Sequence, residues 1–240
     1  QNYWKLLTKT ELETHLELFF SQRFDFPSAL VPILIENKVS KDNFELFLDP
    51  KIKNFLPDPS IFIDMDKTVK RIANEIETKN PIGIFGDYDV DGATSAALLK
   101  LFLQYFGIEV HIHIPDRFLE GYGPNISALN SLVSKGSNLI ITVDCGINSY
   151  EPLKELNKTD IDCIIIDHHT PDDDLPPAFS IVNPKRKENG IEYHYLSAVG
   201  VTFIMIVGLT RELRQRGVFE KIKEPNLFKF LDLVALGTVC

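Results

Sequence analysis

From residue 81 onward, short apolar runs alternate with longer stretches in which apolar residues recur at helical spacing. The apolar runs occupy residues 82–85, 110–114, 139–143 and 163–166. The helical stretches occupy residues 93–106, 126–134, 149–157, 196–214 and 227–236. Continuous apolar runs separated by helices are typical of parallel strands covered on both faces. The pattern therefore predicts an α/β fold, with a doubly wound, mostly parallel sheet and helices on both faces.

The first 80 residues show a different pattern, in which only helices are indicated. Two short segments with helical spacing are interrupted by prolines, and their apolar residues are Leu16, Phe19 and Phe20, then Ala29, Leu30, Ile33 and Leu34. A longer apolar stripe at residues 64–79 predicts a packing helix. We therefore expect a small helical N-terminal extension at residues 1–60 and a main domain at residues 61–240.

Composition limits the classes of partner. The 240 residues include 25 Lys and Arg against 34 Asp and Glu, which gives a net charge of −9. This balance disfavours a simple polyanion binder, because Lys and Arg contacts to phosphates supply most non-specific nucleic-acid affinity. It does not disfavour a metal site. Cys145, Cys163 and Cys240 lack CxxC spacing, and no apolar stretch of membrane-spanning length occurs, so we expect a cytoplasmic protein with no membrane partner.

Ionisable residues follow all four predicted strands. The segments in question are Gly86 to Gly92, Pro115 to Arg117, Asp144 to Gly146, and Asp167 to His169. In a doubly wound sheet the ligand site lies beyond the carboxyl ends of the strands. We therefore expect these side chains to converge on one site.

Carboxylates that converge repel one another and raise one another's pKa unless cations hold them ionised. Asp87, Asp89 and Asp91 alternate along the first loop, so they can face one side, and Gly92 lets the backbone turn into the next helix. Oxygen-rich ligands with imidazoles suit Mn²⁺ or Mg²⁺ better than structural zinc. An alternative is a helix N-terminus decorated with acidic caps.

Two other loop types do not fit this segment. An EF-hand calcium loop requires Glu at its twelfth position, where this chain has Leu98, and a phosphate-binding loop requires Lys after Gly92. His168 and His169 are adjacent, and successive side chains diverge near a strand end. We expect one imidazole to bind metal and the other to meet the substrate phosphate or leaving group.

These motifs resemble those of the DHH phosphoesterase superfamily. The resemblance rests on the segments from Asp87 to Ser95, Asp144 to Ile147, and Asp167 to His169. Three further segments narrow it to RecJ-type single-strand-specific DNA exonucleases: Arg117 to Gly123, Val182 to Arg186, and Leu196 to Val201. The match covers most of residues 60–240.

The resemblance implies a site with two Mn²⁺ or Mg²⁺ ions. The implied metal ligands are Asp87, Asp89, Asp91, Asp144 and His168, with Asp144 bridging the two ions. The implied catalytic residues are Asp144, His168 and His169. The predicted substrate-binding residues are His169, Arg117, Tyr122, Gly200, and Arg186 of a basic segment. The chain departs from the family at Ser197 and Ala198, before Gly200, which leaves substrate contacts there open.

The implied activity is metal-dependent phosphodiester hydrolysis, as a 5′ to 3′ exonuclease that releases 5′-mononucleotides from single-stranded DNA in repair and recombination. A single-stranded-DNA-binding protein and a helicase are the implied protein partners, and we expect a monomer. Two alternatives stay open. One is a superfamily member acting on nanoRNA, cyclic dinucleotides or pyrophosphate, and the other is an inactive scaffold.

The end of the chain carries one further expectation. In the family, a run like residues 232–240 is followed at once by a fourth-motif Asp that helps to bind metal, and then by C-terminal domains of the DHHA1 and OB types. This chain stops one residue before that position. We therefore expect it to be a core fragment with an incomplete metal site and, by itself, little or no exonuclease activity.

Overall fold

The computed structural model describes residues 10–240, which fall into two compact units that divide between residues 56 and 57. The first nine residues of the predicted extension lie outside the described part. The helices of the first unit are α1 (Glu11–Phe24), α2 (Val31–Glu36), α3 (Phe44–Leu48) and α4 (Ile52–Phe55). Their small core is built around Phe20, Phe44 and Leu34, and the rings of Phe20 and Phe44 stack with centroids 4.5 Å apart. Leu30 and Ile33 are exposed to solvent instead.

The second unit contains the sheet. Its elements in chain order are α5 (Met65–Thr78), β1 (Ile82–Gly86), α6 (Val90–Tyr105), β2 (Val110–His113), α7 (Ile126–Ser134), β3 (Leu139–Val143), α8 (Tyr150–Leu156), β4 (Asp162–Ile166), β5 (Ser180–Val182), α9 (Ala198–Gln215) and α10 (Leu231–Val239). The predicted α/β class, its four strands and its covering helices are confirmed. β5 was not predicted, and a short 3-10 turn at Leu227–Phe230 precedes α10 where one continuous helix was expected.

All five strands are parallel, in the order β2-β1-β3-β4-β5. The strand order reverses between β1 and β3, which makes this pair the switch point of the sheet. Phe85, Ile140 and Ile165 belong to a buried cluster beneath α7 and α8, whereas α5, α6, α9 and α10 pack together on the opposite face. The loops that follow β1, β3 and β4 therefore open at one edge of the sheet.

β5 extends the sheet beyond β4, with Ser180 paired to Ile164 and Val182 paired to Ile166. Asp64, just before α5, accepts a hydrogen bond from the Ile181 N–H at 3.1 Å. This contact ties β5 to the helix layer. None of the helices within residues 10–240 combines the length and apolar character needed to cross a bilayer.

Candidate metal centre

The loop after β1 brings two carboxylates to the switch point. Asp87 is buried, and its Oδ1 accepts a hydrogen bond from the Tyr88 N–H at 2.8 Å. Asp89 caps α6, because its Oδ1 accepts from the Gly92 N–H at 2.9 Å. A Cβ at residue 92 would lie 2.6 Å from the Asp87 carbonyl oxygen. Gly92 is therefore required for close packing within the loop rather than for the turn that the sequence suggested.

Two carboxyl groups of this loop have raised pKa values. Burial raises the pKa of Asp87 above its ordinary value, and the neighbouring Asp89 carboxylate raises it further, while the Tyr88 N–H opposes the shift. Burial likewise raises the pKa of Asp91. Both shifts are expected where carboxylates meet without a cation to balance them.

Asp91 contacts a different helix. Its two carboxylate oxygens accept hydrogen bonds from the N–H groups of Ala198 and Val199, both at 2.7 Å. N–H groups in the first turn of a helix have no partner within the helix, and this end of α9 is the positive end of its dipole, so a carboxylate is stabilised there. Oδ2 of Asp91 also lies 3.7 Å from His168 Nε2. Asp91 thus lies at the border of the site with both oxygens engaged, and its role as a metal ligand stays a prediction.

Asp144 lies at the centre of the site, directly after β3. Its φ of 61° is in the left-handed region, which Asp tolerates better than most residues. Only 1% of the residue is exposed, yet neither carboxylate oxygen accepts a hydrogen bond within the described part of the chain. His168 Nε2 lies 3.3 Å from Oδ1, close enough for ionic attraction but without hydrogen-bond geometry. Burial raises the pKa of Asp144 to about 7, and the carboxylates of Asp91 and Asp89 add to the shift.

His168 is oriented by a main-chain carbonyl. Its Nδ1 lies 3.1 Å from the carbonyl oxygen of Leu196, which can only accept, so Nδ1 carries the proton and donates. Nε2 then faces Asp144. The Asp144 carboxylate raises the pKa of His168, which burial opposes. This arrangement leaves Nε2 as the atom that can bind either a proton or a cation.

His169 is oriented by a buried carboxylate that the sequence prediction did not single out. Its Nδ1 lies 2.8 Å from Oδ1 of Asp167, and this hydrogen bond raises the pKa of His169. Asp167 is fully buried, and its oxygens also accept from the N–H groups of His168, His169 and Ile147. Burial alone would raise the pKa of Asp167, but these donors hold it below its ordinary value. The only sequence signal for this role was the position of Asp167 at the start of the Asp-His-His triplet.

Tyr122 contacts both His169 and the main chain of Asp144. Its hydroxyl lies 3.2 Å from His169 Nδ1 and 3.3 Å from the Asp144 carbonyl oxygen. Because Nδ1 already donates to Asp167, the hydroxyl donates to the carbonyl. Partial burial and the nearby Asp167 charge raise the pKa of Tyr122, so the phenol keeps its proton. The free ring nitrogen of His169 is therefore Nε2.

Two groups of potential ligands share Asp144. One consists of Asp87, Asp89 and Asp144, the other of Asp144, His168 and His169, and within each group the ligand atoms lie within 4.8 Å of one another. Oxygen-rich ligands with imidazole and no thiolate suit Mn²⁺ or Mg²⁺. A buried carboxylate without a hydrogen bond is costly, and a divalent cation would offset that cost. The residues present therefore fit such an ion.

The predicted substrate residues lie in different settings. The Arg117 guanidinium is exposed and lies over the Tyr88 ring, 5.4 Å from its centroid, so it is next to the β1 loop. The Gly200 N–H donates to Ser197 Oγ at 3.3 Å, within the first turn of α9. A Cβ at residue 200 would meet only ordinary contacts at 3.6 Å, so packing within the chain does not demand glycine there.

Arg186 forms its hydrogen bonds within the chain. Its guanidinium is buried and donates to Asp64 Oδ2 and to the Ile181 carbonyl, both at 2.9 Å. It therefore holds β5 to the segment before α5, and its role in substrate binding stays a prediction. The adjacent Lys185 is half-buried, forms no ion pair within residues 10–240, and is close enough to His169 that its charge opposes protonation of that imidazole. Lys185 is the better substrate candidate of the two.

Comparison with known proteins agrees with this geometry. The sequence model of the DHH family, N-terminal domain, matches residues 81–238. The single-stranded-DNA-specific exonuclease RecJ of Haemophilus influenzae is 36% identical over 193 residues, which are 80% of this chain and 33% of that protein. RecJ of Escherichia coli is 35% identical over 219 residues, which are 90% of this chain and 38% of that protein. The chain thus spans about a third of the length of these curated relatives.

Solved structures show the same fold. A crystal structure of exonuclease RecJ bound to manganese superposes with a TM-score of 0.63 at 30% identity, covering 74% of this chain and 43% of that one. The structure of RecJ from Thermus thermophilus in complex with Mn²⁺ gives a TM-score of 0.71 at 23% identity, covering 94% of this chain and 30% of that one. The second likeness concerns the fold alone.

Proposed function

Because the chain belongs to the DHH family, we propose that it carries the metal-binding core of a phosphodiesterase that removes 5′-mononucleotides from single-stranded DNA in the 5′ to 3′ direction. The observation that carries the proposal is Asp144, a buried carboxylate without a hydrogen bond that is shared by two groups of ligands. The relatives named as single-stranded-DNA-specific exonucleases and the manganese-bound structure support the choice of substrate and metal.

The ligand groups suggest how metal would be held. Asp87 and Asp89 would hold a Mn²⁺ or Mg²⁺ ion on one side of Asp144 and His168 would hold another on the other side, with Asp144 available to both. Bound ions of this kind lower the pKa of water and neutralise phosphate oxygens. Asp91 would hold the N-terminus of α9 against the site through the N–H groups it accepts from.

His169 would act on the substrate. Asp167 accepts the Nδ1 proton and raises the pKa of the imidazole, which increases the share of the ring that carries a proton on both nitrogens and leaves Nε2 for the substrate. A charged N–H donor suits a phosphate oxygen or a departing oxygen, where negative charge develops. Arg117 and Lys185 would bind flanking phosphates.

The broader context belongs to the same proposal. It comprises DNA repair and recombination, action as a monomer in the cytoplasm, and cooperation with a single-stranded-DNA-binding protein and a helicase. The RecJ relatives support the single-stranded-DNA substrate, and the other parts of this context are proposed from the family resemblance alone.

A degradation assay tests the function directly. Single-stranded DNA labelled at either end, double-stranded DNA, short RNA and a cyclic dinucleotide are incubated with the chain in Mn²⁺. Protein is in excess, so that slow cleavage is seen as a single turnover. We expect label at the 5′ end of single-stranded DNA to be released first, and Asp144→Asn to abolish release. Cleavage of only the short RNA or the dinucleotide would favour the small-substrate alternative, and an unchanged rate in Asp144→Asn would contradict the site.

A further inference from the structure

The loop between β2 and α7 exposes two large apolar side chains. Phe118 is 93% exposed and Leu119 is 86% exposed, and these are the highest values among the large apolar residues of the described chain. Exposing a side chain of this size forgoes the free energy that its burial would contribute. Adjacent apolar residues in this state indicate a surface that another molecule covers.

The exposure does not result from a loose backbone. Oδ1 of Asp116 accepts hydrogen bonds from the N–H groups of Phe118 at 2.8 Å and Leu119 at 3.1 Å. Glu120 Oε1 accepts a hydrogen bond from the Asp116 N–H at 2.9 Å, and Glu120 Oε2 lies 2.8 Å from His113 Nε2. The turn is therefore closed by its own side chains and tied to the end of β2, so it presents the two apolar residues in a defined position.

The same loop also carries residues that border the metal centre. Arg117 lies over Tyr88 of the β1 loop, and the Tyr122 hydroxyl lies 3.2 Å from His169 Nδ1. Phe118 and Leu119 thus lie on one short segment between two residues that border the site. A molecule that is bound at the metal centre and contacts Arg117 therefore contacts the residue next in sequence to Phe118.

The net charge of the chain bears on which kind of contact a nucleic-acid strand could make with Phe118 and Leu119. With a net charge of −9, the chain repels a polyanion at long range. Bases present π-faces to aromatic side chains, and such stacking is independent of charge and tolerant of sequence. We propose that Phe118, flanked by Leu119, is a stacking platform for a base of the single strand whose phosphate lies at the metal centre. The proposal rests on the proposed function, since it takes single-stranded DNA as the substrate.

Fluorescence tests the contact. The sequence contains one Trp, Trp4, so Phe118→Trp combined with Trp4→Phe places the only indole at the loop. The protein is titrated in Mg²⁺ with oligothymidylate of about ten nucleotides, or with an abasic strand of equal length, both with phosphorothioate linkages to prevent hydrolysis. We expect saturable quenching by the strand that carries bases and little quenching by the abasic strand. Absence of quenching by oligothymidylate would overturn the proposal.

Affinity provides the second measurement. Phe118→Ala should weaken oligothymidylate binding roughly 5- to 150-fold, the range for loss of one stacked base, and should leave abasic-strand binding unchanged. Phe228→Ala is the matched control, because Phe228 is 70% exposed in the same unit and should not affect either strand. Equal loss for both strands, or none, would overturn the proposal and favour a protein as the partner of this surface.

The two proposals fail in different ways. Base-dependent quenching in a protein that Mn²⁺ does not stabilise would refute the metal-dependent function while supporting the stacking contact. Hydrolysis of single-stranded DNA by the unmodified chain, with no quenching in the indole variant, would overturn the stacking contact alone.

Discussion

Replacing Asp144 with Asn should change how the stability of the metal-free protein depends on pH. The Asp144 carboxyl has an ordinary pKa of 3.8, and burial raises it to about 7 in the folded chain. The folded protein therefore binds this proton more tightly than the unfolded chain does. Stability falls as pH rises through the interval between these two values, and Asp144→Asn, which has no proton to lose, should remove that fall.

The magnitude follows from the two pKa values. For a single carboxyl with these constants, raising the pH from about 5 to about 8 costs about 2 to 3 kcal/mol of unfolding free energy. His169 also has a raised pKa, mainly because of Asp167, so its contribution falls with rising pH in both proteins, whereas the raised pKa of His168 depends on Asp144 itself. The difference between wild type and variant isolates Asp144, apart from any change that the substitution makes in the pKa of His168.

Urea unfolding in the presence of a chelator, followed by far-UV circular dichroism, measures this difference. Asp160→Asn serves as the control, because Asp160 is an exposed carboxylate away from the site. Wild type and the control should lose about 2 to 3 kcal/mol more than Asp144→Asn over the same pH interval. Identical pH dependence in all three proteins would refute the view that Asp144 is a buried, unbalanced charge.

Three further predictions concern the site. At a concentration about 100 times its Kd, Mn²⁺ should stabilise the wild type by about 2.7 kcal/mol and Asp144→Asn much less, as thermal unfolding would show; equal stabilisation would argue against Asp144 as a ligand. Asp167→Asn should lower the pKa of His169, because the hydrogen bond that raises it is weakened, and NMR titration of the imidazole should detect the change; an unshifted titration would contradict the assigned contact. Arg117→Ala should weaken binding of single-stranded DNA and reduce its log-log salt slope by about 1, with Mn²⁺ binding retained; an unchanged slope would exclude a phosphate contact.

Much of the fold could be predicted from the sequence, because buried parallel strands are continuous apolar runs. The strand at Leu139–Val143 and the helix at Ile126–Ser134 were predicted with the bounds that the structure shows. The strand at Ser180–Val182 was missed, since three residues are too few for a periodic pattern and its conformation comes from pairing with β4. Its existence depends on the neighbouring strand rather than on local preference.

The same division applies to the site. The sequence alone indicated that carboxylates and imidazoles would converge, because the carboxyl ends of parallel strands meet at one edge. It could not distinguish Asp91 from the other carboxylates of its loop, because the N–H groups that bind Asp91 belong to Ala198 and Val199, more than a hundred residues further along the chain.

The sequence alone also could not indicate which of the consecutive cationic residues Lys185 and Arg186 would be buried. Both carry the same charge, and only the two acceptors that Asp64 Oδ2 and the Ile181 carbonyl offer to Arg186 determine which side chain is buried. Local patterns determine which residue types reach the edge of the sheet. Long-range contacts decide which polar atoms are already paired there and which, like the Asp144 carboxylate, are left for a ligand.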